Sequence, residues 1–167
     1  HKPKASLTSN YDSKGRNLIF DFLPKKIPRV ISIGRLDYNT EGLILLTNDG
    51  ELARKLEMPS SGFIRKYRVR VYGKIEKKKL EQLANGIIIN KIKYKPINVV
   101  FERQNSSNAW IHMSLKEGKN REIRNIIKFF GWEVTRLIRL EFGPFKLGSM
   151  KEKDLREIKY SDFSKLL

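Results

Sequence analysis

Three short polar segments of this 167-residue chain carry residue types able to do chemistry. The first is Gly34-Arg35-Leu36-Asp37. An aspartate directly after a strand end, on a glycine-flanked loop, can point into a cleft and act as nucleophile or base. In an Asx-turn the same residue would only cap local backbone amides. Neighbouring Glu41 and Asp49 read as surface or cap residues, and nothing fixes their distance to Asp37, so a paired-carboxylate hydrolase has little support. The second segment is Arg65-Lys66-Tyr67-Arg68-Val69-Arg70-Val71. Its alternation puts Arg68 and Arg70 on one strand face and Tyr67 on the other, with Val69 and Val71. An aromatic ring on a basic strand can stack on a base while the cations neutralise phosphate. A half-buried tyrosine in an ordinary strand gives the same pattern. Lys77-Lys78-Lys79, further on, reads as a solvated helix face. The third segment is Glu117-Gly118-Lys119-Asn120-Arg121-Glu122-Ile123-Arg124. Gly118 lets the backbone approach a ligand, and the helix that follows brings a positive N-terminus suited to phosphate. The spacing matches neither a Walker loop nor a dinucleotide fingerprint. A plain basic amphipathic helix would look similar.

An aspartate withdrawn from water needs a nearby cation to stay ionised. Arg124, on the helix that opens after Gly118, is the predicted partner of Asp37. Composition narrows the chemistry further. The chain has no cysteine and only two histidines, His1 and His112, which excludes disulfides, thiolate zinc sites and a multi-histidine metal site. A metal-dependent nuclease would want several clustered carboxylates, and no such cluster is visible. Thirty-five Lys and Arg against 18 Asp and Glu give a net charge of +17. A folded protein that basic is attracted to a polyanion, nucleic acid first and an anionic membrane surface second. Coding bias toward AT explains part of the lysine but not the arginines clustered near glycines. An Asp, a Tyr and an Arg inside a +17 shell point to RNA chemistry that needs no cofactor.

The elements that must hold these residues follow from periodicity. Residues 30–33 and 43–46 are short apolar strands flanking the Asp37 loop. A short helix over 51–56 is capped by Asn48 or Asp49. Residues 58–62 break the chain and divide it into a first subdomain, 1–62, and a second, 63–148. Within the second, 67–72 is a half-buried strand, and Ile75, Leu80, Leu83 and Ala84 fit a helix ended by Asn85-Gly86. Strands are predicted over 87–89, 97–102, 110–116 and 134–142. Ile123, Ile126, Ile127 and Phe130 form the apolar stripe of the helix after Gly118. Residues 149–167 read as a strand near 155–158 and a short helix capped by Ser161, packing back on the domain. Strands that mostly follow one another, with helices dropped in, predict an α+β fold with a mixed, largely antiparallel sheet flanked by helices and a cleft between two subdomains. No run of about 18 apolar residues spans a membrane.

The segment from Gly34-Arg35-Leu36-Asp37-Tyr38-Asn39-Thr40-Glu41-Gly42-Leu43 through Thr47-Asn48-Asp49-Gly50 resembles the signature of the bacterial ribosomal RNA pseudouridine synthases of the RsuA family, the small-subunit enzyme and its large-subunit relatives. Lys66-Tyr67-Arg68-Val69 looks like that family's second motif, and the segment 117–124 like its third. Arg139 to Gly143 looks like the strand that follows, and the likeness covers about residues 1–148 of the catalytic domain. The resemblance implies the pseudouridine synthase fold and isomerisation of a specific uridine in ribosomal RNA, by flipping the base out of its stack. It implies that Asp37 attacks or deprotonates the sugar. Tyr67 would stack under the base and relay the C5 proton, and Arg124 would hold Asp37 charged. Arg35 would fill the space left by the flipped nucleotide, with Lys66, Arg68, Lys119 and Arg121 contacting RNA. Further expectations are no metal or small-molecule cofactor, ribosomal RNA or a ribosomal subunit precursor as partner, no membrane, a monomer, and a cytoplasmic location. Arg121-Glu122-Ile123-Arg124 is closer to the large-subunit members. The family's usual upstream S4-like RNA-binding domain is not in this chain, and the opening His1-Lys2-Pro3-Lys4-Ala5 resembles a family strand usually written Asn-Lys-Pro-Lys-Gly, with Ala5 in place of glycine. The competing class is a non-catalytic RNA-binding or ribosome-assembly module on the same fold. Asp37 discriminates, since a binder gains nothing from an aspartate that repels phosphate.

Overall fold

The computed structural model of the chain describes residues 1–166. After a 3-10 turn at Ile19–Phe22 come β1 (Ile31–Ile33), β2 (Glu41–Gly42), β3 (Leu45–Thr47) and helix α1 (Gly50–Glu57). Then follow β4 (Arg65–Tyr72), α2 (Lys77–Glu81), β5 (Ile87–Ile89), β6 (Ile92–Tyr94), β7 (Asn98–Asn105) and β8 (Asn108–Leu115). Helix α3 (Glu122–Phe129), β9 (Glu133–Phe142) and β10 (Phe145–Lys146) complete the order. The central sheet runs β10-β9-β4-β8-β7, and β2 adds to β9 as its parallel neighbour. The other pairings in it are antiparallel, as the sequence predicts.

Period-two alternation builds this sheet. Val69 and Val71 on β4, and Ala109, Ile111, Met113 and Leu115 on β8, are buried on one face. The stripe Ile123, Ile126 and Ile127 of α3 packs on that face with Leu80 and Leu83. Each such side chain contributes about 1.5–3 kcal/mol when fully buried. A second core joins the N-terminal elements to the sheet: Ile33, Leu43, Leu45 and Leu56 pack with Ile138, Phe142 and Leu147. Helix α1 starts where expected, because Asp49 Oδ1 accepts the N–H groups of Glu51 at 2.9 Å and Leu52 at 3.0 Å.

Strand β2 is short but decides where the Asp37 loop lies, because it anchors residues 34–42 against β9. Gly42 there has φ of 105°, and a Cβ would meet the Arg139 carbonyl oxygen at 2.3 Å. Only glycine permits this approach of the two backbones. Two expectations change. The predicted helix over 75–84 splits into α2 and a 3-10 turn at Gln82–Asn85. Residues 155–158 join no strand, and the tail instead forms 3-10 turns at Tyr160–Asp162 and Ser164–Leu166. Leu155 and Ile158 are three apart, a spacing that cannot put both on one strand face. Phe163 does pack back, its ring 5.1 Å from that of Phe145. Residue 167 lies outside the described residues. No helix among the described residues is long and apolar enough to cross a membrane.

Candidate active site

A cavity of about 780 Å³ is lined from both halves of the chain, by Asp37 of the β1–β2 loop and by Tyr67, Arg121, Glu122, Arg124 and Arg139. The loop is fixed at many points. Glu57 Oε1 accepts the Gly34 N–H at 2.5 Å. The Thr8 hydroxyl donates to the Leu36 carbonyl at 3.1 Å and accepts the Leu36 N–H at 3.3 Å. The Thr40 N–H closes a turn on the Asp37 carbonyl at 2.9 Å. Lys2 is only 2% exposed. Its Nζ donates to the carbonyls of Pro3 at 3.0 Å, Tyr38 at 3.4 Å and Thr40 at 2.8 Å. Burial lowers the Lys2 pKa to about 8, against the opposing charges of Glu41 and Asp37. Asp37 is therefore presented on a backbone with little freedom.

Its carboxylate is about one third exposed, and Oδ2 lies 3.6 Å from Arg121 Nη1. The ion pair expected from Arg124 is made by Arg121 instead. Arg121 caps α3 in left-handed backbone, with φ of 50°. Arg124, one turn further in, donates from Nη2 to the Asn39 carbonyl at 3.1 Å and from Nη1 to the Val134 carbonyl at 3.3 Å. Its pKa is lowered by burial and by the Arg121 charge, and the Asp37 carboxylate opposes both. Arg124 thus ties the Asp37 loop to β9 through backbone carbonyls, and Asp37 feels two guanidiniums. The loop's backbone bonds and the Arg121 contact orient this carboxylate toward the cavity.

Glu122, at the first turn of α3, is 4% exposed. Its Oε2 accepts the Lys119 N–H at 2.9 Å, and its buried Oε1 has no partner among the described residues. Burial pushes its pKa up to about 7, and nearby Glu117 adds to the rise. The unfolded chain then binds fewer protons than the folded one between pH 4.5 and about 7, so this group erodes stability as pH rises through that window. Glu122→Gln keeps the acceptor and removes the titration. Urea midpoints at pH 5 and pH 8 are expected to show wild type losing stability relative to the variant. Parallel pH profiles would contradict the assignment.

The remaining predicted residues divide. Arg35 is exposed and lines the cavity. Lys119 also lines it, salt-bridged to Glu117 and 5.7 Å over the Tyr94 ring. Lys66 and Arg68 alternate to the sheet face opposite Tyr67 and are not part of the cavity. Lys66 pairs with Glu141 at 2.9 Å, while Arg68 grips Glu102 at 2.8 and 2.7 Å and lies 4.1 Å over Trp110. Glu41, read as a surface residue, is buried and held by Arg136 at 2.8 Å. Sequence reasoning missed Arg139. It is 3% exposed and stands opposite Tyr67 on β9. The available signal was an arginine two residues after buried Leu137, at an inward strand position. Among the described residues no group of three or more His, Cys, Asp or Glu side chains converges on a metal-binding arrangement.

A fixed aspartate, a tyrosine and several arginines thus surround one cavity, carried on this mixed sheet. The model of the RNA pseudouridylate synthase family matches residues 1–128, and the chain belongs to that family. An uncharacterized RNA pseudouridine synthase of Rickettsia typhi is 44% identical over all of this chain and 68% of its own length. The ribosomal large subunit pseudouridine synthase B of Salmonella typhimurium is 38% identical over 96% of this chain and 57% of its own. The chain therefore spans about two thirds of the rickettsial relative and little more than half of the Salmonella enzyme. A crystal structure of a pseudouridylate synthase superposes with a TM-score of 0.85, at 27% identity, covering 99% of this chain and 71% of that one. An archaeal box H/ACA sRNP complex, at 14% identity and a TM-score of 0.61, shares the fold.

Proposed function

We propose that the chain converts a specific uridine of ribosomal RNA to pseudouridine, with Asp37 as the essential group. The observation that carries this reading is Asp37 itself, fixed by backbone bonds at the wall of an arginine-lined cavity and paired with Arg121. A stacked uracil cannot turn to present C5, so the nucleotide leaves its stack to enter the cavity. Arg35, exposed beside Asp37, fills the space it vacates. Lys119 and Arg121 neutralise flanking phosphates. The Asp37 carboxylate then attacks C1′ or removes the C2′ proton, and the N-glycosidic bond breaks. Tyr67 stacks against the base and relays the C5 proton after the base has turned. Arg121, through its ion pair, and Arg124, through the Asn39 carbonyl, hold Asp37 in place. The reaction uses no metal or small-molecule cofactor, and the chain works as a monomer. The large-subunit activity named for the Salmonella relative favours large-subunit RNA as the substrate.

A purely RNA-binding module is the competing reading. The carboxylate argues against it, because it repels phosphate from the best-fixed point of the cavity. Tritium release from ribosomal RNA transcripts made with 5-tritiated uridine separates the two. The proposal expects release that scales with added protein, whereas binding without release favours the module.

A further inference from the structure

Arg139 is a buried cation whose counterion is absent from the described residues. Its Nε donates to the Leu43 carbonyl at 2.7 Å, and its guanidinium lies 5.4 Å from the Phe142 ring centroid. Nη2 is buried and has no hydrogen-bond partner among the described residues. No carboxylate there lies within ion-pair distance. Burial lowers its pKa, and the acid that opposes this is the Tyr67 phenol, its cross-strand neighbour. The other arginines that line the cavity differ from it: Arg121 pairs with Asp37, Arg124 is tied to two carbonyls, Arg65 donates to the Phe63 and Lys116 carbonyls, and Arg35 is exposed to water. A guanidinium withdrawn from water without a carboxylate is costly, and methionine or leucine would fill the same strand position at less cost. The charge makes sense if an anion forms beside it for part of the reaction cycle.

Resting on the isomerase reading above, we propose that Arg139 stabilises the uracil anion released when the glycosidic bond breaks. The N1–C1′ bond cleaves and its electron pair stays with the base, spreading over N1, O2 and O4. Asp37 meanwhile bonds to C1′ or takes the C2′ proton. The anion turns over Tyr67, and C5 bonds to C1′ as the Asp37 oxygen leaves C1′ with the electron pair of that bond, or as Asp37 returns the proton to C2′. The C5 proton then leaves to a base, its electron pair restores the C5=C6 double bond, and N1 takes up a proton. Through the stage when the ring is detached it carries a negative charge in a low-dielectric cavity, where a fixed cation acts strongly. Arg139 is at that wall, and its position is fixed by Leu43 and Phe142 before substrate arrives.

The test varies the leaving group. 5-Fluorouracil is a more stable anion than uracil, so its departure depends less on external stabilisation. Arg139→Met is expected to slow uridine conversion about 100-fold, the size of effect seen when one preorganised donor is removed. Loss of 5-fluorouridine from the same RNA, followed by mass spectrometry of the nucleosides, should slow at least about tenfold less. Arg139→Lys, which keeps the charge, should recover part of the uridine rate. Equal slowing of both substrates in Arg139→Met, with no recovery in Arg139→Lys, would assign Arg139 a structural role and overturn the proposal. A melting curve checks the fold, and Arg139→Lys carries the test if Arg139→Met unfolds. A wild-type chain that converts neither substrate would instead fault the isomerase reading itself.

Discussion

Asp37→Asn is expected to abolish uridine isomerisation while leaving the melting temperature and RNA affinity close to wild type. The amide keeps the size of the side chain and its place in the loop, which is anchored through Thr8, Lys2 and Glu57 rather than through the carboxylate. What disappears is the carboxylate that the proposed reaction uses as nucleophile or base. The Asp37–Arg121 pair is long, at 3.6 Å, with the two side chains 34% and 53% exposed. Pairs of that kind contribute about 0–1 kcal/mol, so stability should hardly move. Affinity should be unchanged or slightly higher, because a negative group leaves a cavity that receives phosphate. Turnover, by contrast, should fall on the order of 10⁴-fold, as it does when other enzymes lose a nucleophile or base. Tritium release and fluorescence anisotropy on one RNA read both quantities. Residual turnover of a few per cent would remove Asp37 from the reacting position.

The second large effect lies at Tyr67. Tyr67→Phe keeps the ring, and Tyr67→Ala removes it. If the hydroxyl relays the C5 proton, the phenylalanine variant loses turnover on uridine yet still binds RNA carrying 5-fluorouridine. The alanine variant should lose both, since stacking on an aromatic ring is worth about 1–3 kcal/mol per base. Tyr67 and Arg139 stand opposite each other on β4 and β9, and both line the cavity. Wild-type-like activity in both variants would take Tyr67 out of the site.

The sequence announced most of this architecture because its signals were local. Alternation gave β4 and β8, the stripe Ile123, Ile126 and Ile127 gave α3, and Asp49 gave the start of α1. The cavity was legible in its parts, since Asp37, Tyr67, Arg121 and Arg124 each stood in a segment flagged by composition. Which arginine meets Asp37 was not legible. It depends on the left-handed backbone at Arg121, and no glycine marks that position. Arg139 shares the strand parity of Leu137, but that parity alone does not bring it to Tyr67; the β4–β9 register does. The burial of Glu41 was equally out of reach, because it follows from the parallel β2–β9 pairing and from Arg136, 95 positions away in sequence. In each case a contact between distant segments decided the outcome.

The most direct test is whether ribosomal RNA loses a pseudouridine when this protein is removed. Carbodiimide-stop sequencing of ribosomal RNA, from cells with the gene and cells deleted for it, reads this directly. The expected result is a stop at one position, or a small set, that vanishes on deletion. It returns with the wild-type gene and stays absent with Asp37→Asn. Identical stop patterns in all four strains would contradict the account.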